Sequence, residues 1–206
     1  MGAAVAGQEV VGVMFVLVEV EDTIRVPPRD FGAGVYSALE KQVNRVWAGR
    51  VVAPHGVCVR LWDWVRKEED RIVHNDGSSY TTCRFRLLVF SPMPGEVLNT
   101  RVLASDKDGV RLELDFFNHI YVVPDALPTP SHFNQQERAW VWEYTSETQL
   151  VFEPDANVRC KVKDVQYRDK DDASIQAYLP RMFLYAEMRT EGMGDTSWWE
   201  GQDGDE

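Results

Sequence analysis

With 206 residues, the chain has room for one large domain or two small ones of roughly 100–150 residues each. Hydrophobic residues at 44% and aromatics at 11% exclude global disorder. The formal net charge of -11 argues against a free-standing nucleic-acid binder, because phosphate binding needs clustered Lys and Arg. Much of the acid lies in Arg168–Asp172 and in the tail 200–206, both expected to be solvated. Cys58, Cys83 and Cys160 sit in apolar strand-like runs and are expected to be buried, reduced thiols. The longest apolar run, Val10–Val18, is short of the roughly 18–20 residues of a membrane span, so no membrane is expected as a partner. Residues 1–13 lack the basic residues of a targeting peptide, and their role is not legible.

In chain order, Val13–Val20 is nearly continuous apolar sequence, the pattern of a central strand covered on both faces. Asp22–Arg25 reads as a turn, and Val26-Pro27-Pro28 as extended chain. Asp30 is the expected N-cap of a helix whose apolar stripe is Phe31, Val35, Ala38, Leu39, Val43 and Val46, closed by Gly49. Strict alternation over Val57–Val65 puts Val57, Val59, Leu61 and Val65 on one face and Cys58, Arg60, Trp62 and Trp64 on the other. A charged turn at Arg66–Asp70, a short strand at Arg71–His74 and a loop at Asn75–Ser79 follow. Thr81–Phe90 is a strand with Phe85, Leu87 and Val89 on its buried face.

Pro92 and Pro94 interrupt that strand, because proline has no amide hydrogen to donate, and a new strand starts at Glu96. Ser91-Pro92-Met93-Pro94-Gly95 therefore reads as a stiff joint between two β-rich halves. Beyond it the helical period disappears. Strands are expected at Glu96–Leu103, Val110–Phe116, Ile120–Val123, Trp140–Tyr144, Val158–Tyr167 and Met182–Met188, with a hairpin turn at Lys107-Asp108-Gly109. The fold class is thus an α+β N-terminal domain, with one main helix on an antiparallel sheet, followed by an all-β OB-type barrel. Trp140, Trp142 and Tyr144 are expected on one strand face, and Trp198-Trp199 is expected to dock on this barrel or on a partner.

No chemical constellation emerges. His55, His74, His119 and His132 have no partner at metal-ligand spacing, and Asp106-Lys107-Asp108-Gly109 fails as a calcium loop because Phe117 stands where a bidentate Glu is needed. There is no nucleophile elbow, P-loop or dinucleotide fingerprint, and the carboxylate pairs Glu68-Glu69 and Asp171-Asp172 lie in charged surface segments. No catalytic residue, metal or cofactor is expected.

Several runs carry a family resemblance. These are Met14-Phe15-Val16-Leu17-Val18-Glu19, Asp22-Thr23-Ile24-Arg25-Val26-Pro27-Pro28 with Phe31, and Val89-Phe90 with Pro92 and Gly95-Glu96. Gly109-Val110, Phe116-Phe117, Pro124, Trp140-Val141-Trp142-Glu143-Tyr144 and Ser197-Trp198-Trp199 complete the set. In order and spacing the chain resembles the larger stalk subunit of archaeal and eukaryotic RNA polymerases, and is most similar to the RNA polymerase III form. The resemblance covers Met14–Trp199 and departs at Thr145–Asn157 and Val165–Pro180. It implies an extension at 1–13, a polymerase-docking domain at 14–92, a barrel at 93–199 and an acidic tail at 200–206. It implies a non-catalytic nuclear subunit that pairs with a small helical stalk subunit, meets the polymerase III core and initiation factors, and supports initiation. The docking tip would include Pro27, Pro28, Asp30, Phe31, Asp76 and Gly77. The joint and small-subunit contact would include Phe90, Pro92, Pro94, Gly95 and Glu96, with the elbow holding the barrel at a fixed angle.

The family's barrel also implies contact with nascent single-stranded RNA. Here Arg111 and Val123 stand where an RNA-binding ribosomal repeat has an aromatic and a histidine, which leaves Arg111, Phe116 and Tyr121 as the possible RNA contacts. Three other readings stay open on the residues alone. They are a free-standing OB-type RNA-binding factor, the equivalent subunit of another polymerase, and an enzyme assembled from scattered carboxylates.

Overall fold

The computed structural model describes residues 4–12, 14–73, 76–168 and 181–199, with only the backbone described for 4–12. The features expected at Val13, His74, Asn75, Asp171-Asp172 and 200–206 lie outside these residues. The chain divides into two units, Met1–Ser91 and Pro92–Glu206.

Strand β6 (Ser79–Phe90), buried along the Phe85, Leu87 and Val89 face as their alternation predicts, is the centre of the first sheet. It pairs antiparallel with β2 (Phe15–Val26) on one side and with β4 (Gly56–Lys67) on the other. The edges are β1 (Ala4–Gly12) beside β2 and β3 (Val51–Val52) beside β4, while β5 (Arg71–Ile72) pairs with the start of β6. Helix α1 (Val35–Trp47) covers one face, and Leu39 and Val43 interlock with Val18, Val20, Phe85 and Leu87 in a core shielded from water. Each such burial contributes about 1.5–3 kcal/mol. The opposite face carries cross-strand ion pairs of Arg84 with Glu19 and Glu21 and of Arg86 with Asp63.

Several expectations for this unit are corrected. The turn expected at Asp22–Arg25 is instead a continuation of β2, in unbroken register with β6 from Asp22↔Cys83 to Val26↔Ser79. Ile24 and Val26 alternate into the core there and outweigh the polar residues between them. The strict alternation expected in β4 is broken by register shifts at Cys58/Arg60, Leu61/Asp63 and Trp64/Arg66. Each shift adds one residue, so Cys58, Leu61 and Trp64, three apart, meet the same core while Val65 is 49% exposed. Finally, Asp30 is not a helix cap: it lies in a 3-10 turn over Pro28–Ala33, and the helix starts after Gly34 at φ 82. The stripe is accordingly Ala38, Leu39, Gln42 and Val43, leaving Phe31 and Val35 outside the core. The helix is closed by Ala48, whose N–H donates to the Asn44 carbonyl; Gly49, the expected cap, follows at φ 75 and its N–H donates instead to the Cys58 carbonyl.

The second unit is a closed five-stranded barrel. Its strands are β7 (Val97–Asp106), β8 (Gly109–Leu114), β9 (Phe117–Val122), β13 (Asn157–Tyr167) and β14 (Met182–Glu187). They follow the order β14-β9-β8-β7-β13, and a β13–β14 ladder closes the circle. This is the OB arrangement, with its third and fifth strands parallel. The strand expected to run to Phe116 ends at Leu114, because Asp115-Phe116 forms the β8–β9 turn. The connection between β9 and β13 holds a separate three-stranded sheet of β10 (Ser131–Asn134), β11 (Ala139–Glu143) and β12 (Gln149–Phe152). Trp140 Nε1 ties that sheet to the barrel by donating to the Asp106 carbonyl at 2.8 Å. Trp140 and Trp142, two apart on β11 in unbroken register, share a face as expected, and the Tyr144 ring, just past the strand end and 49% exposed, lies 5.0 Å from that of Trp142. Trp198 packs on this unit's own Phe152 and Trp142, at centroid distances of 4.9 and 5.9 Å. A last short strand, β15 (Gly194–Asp195), pairs with the start of β13.

Candidate docking groove and barrel face

At the end of the first unit where β2 gives way to Pro27, the structure brings together the segments expected to form a tip. The Cα of Gly77 faces Pro28, whose Cγ would lie 3.6 Å from a Cβ added there. Asp76 organises the adjoining turn. Its carboxylate accepts from the Ser78 backbone N–H at 2.7 Å, from Tyr80 Oη at 3.0 Å and from Arg25 Nε at 3.0 Å. These donors, Ser78 first, hold its pKa below the usual carboxylate range. Gly77 follows at φ 64, a conformation that glycine adopts without strain.

Asp30 is positioned by the helix it was expected to cap. Its carboxylate accepts from Lys41 Nζ at 2.7 Å and from Gln42 Nε2 at 2.8 Å, and so fastens the Pro28–Ala33 turn onto α1. The Lys41 hydrogen bond, with weaker help from the Arg29 and Arg45 charges, holds this carboxyl below its ordinary value. A lowered native value means that the group's contribution is present above about pH 4 and is lost as pH falls through the lowered value. Asp30→Asn should therefore be less stable than wild type at pH 7, and the gap should close on acidification. Urea unfolding at stepped pH checks this, and a pH-independent gap would refute it.

Fastening the turn leaves Phe31 at the rim of an apolar groove of about 250 Å³. Val26, Ala38, Leu39, Ser79 and Thr81 line it, and Phe31, Val35 and Ile72 rise around it with exposures of 45%, 52% and 64%. Three large apolar side chains exposed around one concavity mark a binding surface more strongly than scattered exposure does. Asp70 closes one side, accepting from Lys67 Nζ at 2.8 Å and from Thr81 Oγ1 at 2.5 Å. Reading the sequence missed Val35 and Ile72 as groove residues. Their hydrophobicity was visible, but only the β5–β6 pairing brings Ile72 to Ser79.

The joint residues occupy two settings. Phe90 ends β6, buried, with its ring 5.7 Å from that of Phe15. Pro92 is buried, and Met93–Glu96 forms a tight turn belonging to the barrel. Gly95 N–H donates to the Val162 carbonyl and Val162 N–H to the Glu96 carbonyl, both at 2.8 Å, while Glu96 Oε2 accepts from Met93 N–H at 2.9 Å. Pro94 is exposed at that turn.

Of the three RNA candidates, the barrel brings two together. Arg111 on β8 pairs in register with Tyr121 on β9, and its guanidinium sits 5.9 Å from the ring centroid. Phe116 lies at the opposite end of this hairpin, 41% exposed in the turn. Tyr185 on β14 stands beside Tyr121, with ring centroids 6.4 Å apart, and Phe183 follows at 5.7 Å from Tyr185 under the Arg168 guanidinium. The result is a row of Tyr121 and Tyr185 on the third and fifth barrel strands, flanked by Arg111 on the second and continued by Phe183, which is 7% exposed beneath Arg168. Tyr185, Phe183 and Arg168 were missed because the parallel β9–β14 pairing has no local signature. His119 lies beside Phe117 on the same hairpin. Burial first, and the Arg111 charge second, push its pKa down.

Comparison with known proteins gives two family matches. The family described as RNA polymerase III subunit Rpc25 matches residues 96–179. The SHS2 domain found in the N terminus of Rpb7p/Rpc25p/MJ0397 matches residues 21–77. The Bos taurus DNA-directed RNA polymerase III subunit RPC8 is 32% identical, over 90% of this chain and 98% of its own length. The Dictyostelium discoideum subunit of the same name is 30% identical, over 92% of this chain and 86% of its own. The Sulfolobus acidocaldarius DNA-directed RNA polymerase subunit Rpo7 is 29% identical, over 54% of this chain and 63% of its own.

Proposed function

This chain belongs to the RPC8 (Rpc25) family of RNA polymerase III subunits, and from that premise we propose that it is the larger stalk subunit of that polymerase. It performs no nucleotide transfer itself. Its first unit docks on the polymerase core, and a small helical subunit lies along that unit and the joint at Phe90, Pro92, Pro94, Gly95 and Glu96. The pair supports initiation in the nucleus by bracing the core and receiving initiation factors.

The observation that carries the docking role is the groove ringed by Phe31, Val35 and Ile72. An exposed apolar rim on a fold stabilised elsewhere suits a surface that a partner covers, and exposed aromatic and aliphatic anchors are the residues such interfaces use. Asp30 fastens the turn that carries Phe31, while Asp76 organises the neighbouring turn where Gly77 faces Pro28. Affinity purification of the tagged protein tests the assignment. The expected result is recovery of the large polymerase III subunits together with a small helical protein. Recovery of the protein alone, or with the subunits of another polymerase, would overturn it.

The aromatic row on the barrel supports a second role, contact with emerging single-stranded RNA. Stacking of a base on an aromatic ring contributes about 1–3 kcal/mol, and Arg111 and Arg168 are placed to meet phosphates at its ends. Tyr121→Ala combined with Tyr185→Ala should weaken binding of labelled single-stranded RNA by the assembled stalk by roughly 10–100-fold, and Arg111→Glu should flatten its salt dependence. Unchanged affinity in the double variant would refute the role.

A further inference from the structure

Beside the Tyr121 and Tyr185 rings the barrel places a carboxylate that a regular strand would not put there. β14 lies between β9 and β13. Met182, Leu184 and Ala186 point inward, at 1%, 0% and 1% exposure, so Tyr185 stands on the outer face. β13 meets β14 at Lys161↔Glu187 and Val162↔Ala186, and the register then shifts to Asp164↔Tyr185 and Gln166↔Phe183. Without that bulge Lys163 would oppose Tyr185, and Asp164 would oppose Leu184 and turn inward. The bulge sets Asp164 outward instead, across from Tyr185, at the roughly 4.5–5.5 Å Cβ spacing of directly paired strand residues.

Asp164 is exposed, and two short bonds orient its carboxylate. Oδ1 accepts from the Val165 N–H at 2.9 Å, and Oδ2 accepts from Gln166 Nε2 at 2.8 Å. Among the described residues, no lysine or arginine is ion-paired with it. Each carboxylate oxygen keeps a further lone pair, and the Gln166 amide nitrogen keeps a second hydrogen. The edge next to Tyr185 therefore offers two acceptors and one donor. On the other side of the two rings, the Arg111 guanidinium sits 5.9 Å from the Tyr121 centroid. A carboxylate beside rings that meet a polyanion repels its phosphates, so it weakens binding unless it bonds to the ligand itself.

We propose that Asp164, supported by Gln166, reads the base that stacks on Tyr185 and selects guanine. Guanine presents its N1–H and its N2 amino group side by side, matching the two carboxylate oxygens, and its O6 accepts from the Gln166 amide. Uracil presents one N–H between two carbonyl oxygens, and the carboxylate repels both. Cytosine and adenine each present one amino group beside a ring nitrogen that is itself an acceptor. Guanine alone supplies two adjacent donors, and bases splayed onto aromatic side chains are read at this edge. The selectivity rests on the RNA-contact reading above, whereas the position of Asp164 beside Tyr185 does not.

Competition anisotropy on the assembled stalk at low salt tests the proposal. The probes are a labelled oligouridylate and the same strand with one central residue changed to guanosine, inosine, adenosine or cytidine. The guanosine strand should bind about tenfold more tightly than the oligouridylate. Inosine, which lacks the N2 amino group, should forfeit most of that gain. Asp164→Asn should abolish the guanosine preference and raise affinity for the oligouridylate by about twofold, because a repelling charge is removed. A damaged barrel would lower affinity for both strands, and far-ultraviolet dichroism confirms that the variant is folded. Equal affinity of the unaltered stalk for the guanosine and uridine strands overturns the proposal and leaves the RNA contact standing. A guanosine preference that survives Asp164→Asn overturns it as well. Binding to none of the strands refutes the RNA reading, and this proposal with it.

Discussion

Phe31→Asp combined with Ile72→Asp is expected to leave the protein folded and to abolish its recovery with the polymerase core. Both side chains are largely exposed, at 45% and 64%, so their replacement opens no cavity in the core beneath. A carboxylate at the rim of an interface must instead be desolvated on docking without a partner, and truncation of a buried apolar anchor alone costs about 2 kcal/mol or more. Together the two changes should weaken docking by at least ~100-fold, which corresponds to about 3 kcal/mol. The assay is co-purification with the large polymerase III subunits, read beside thermal unfolding of the free variant. Trp62→Asp combined with Val65→Asp provides the control, because these β4 side chains are similarly exposed, at 47% and 49%, but do not line the groove. If the control pair fails to bind as badly as the groove pair, the groove is not the docking surface. Binding to the small helical subunit should survive in both.

Gly109→Ala is expected to cost the barrel roughly 3 kcal/mol or more. Gly109 opens β8 at φ 138, where an L side chain is strained, and an added Cβ would collide with the Val122 carbonyl oxygen and crowd the Val123 Cα. The obstacle is backbone of the neighbouring β9, so no side-chain rotation relieves it. Chemical denaturation monitored by tryptophan fluorescence should show a lowered midpoint for the transition of the second unit, and an unchanged midpoint would show that the hairpin rearranges at little cost. Gly56 plays the same part in the first unit, where it lets the Phe90 carbonyl approach the start of β4. One glycine in each unit thus permits a close approach of one strand end to the next. The hairpin turn at Gly109 was legible from Asp108-Gly109, but the approach of β9 was not.

Reading the sequence succeeded where a pattern is local and uniform. Phe85, Leu87 and Val89 alternate without interruption, and β6 is a central strand buried along one face. Ala38, Leu39 and Val43 recur at helical spacing and face the core. It failed where neighbours outside the segment set the outcome. Asp30 has the chemistry of a cap, yet Lys41 and Gln42 recruit it as a fastener. β4 reads as a regular strand, yet three bulges redirect its side chains. Phe31 and Val35 share spacing with the helix stripe, yet the 3-10 turn and Gly34 rotate them out of the core and onto the groove.

The sequence by itself determined the two-part α+β and barrel architecture, the buried thiols and, through the order of its motifs, the polymerase-subunit family. These rest on period, composition and turn residues, which act over a few positions. Tertiary structure alone decided that Ile72 joins Phe31 around one groove, that Tyr185 joins Tyr121 and Arg111 on one face, and that Trp198 closes onto Phe152. Each of these unions depends on pairing between strands distant in sequence, and such pairing is set by closure of the whole sheet rather than by any residue's own preference.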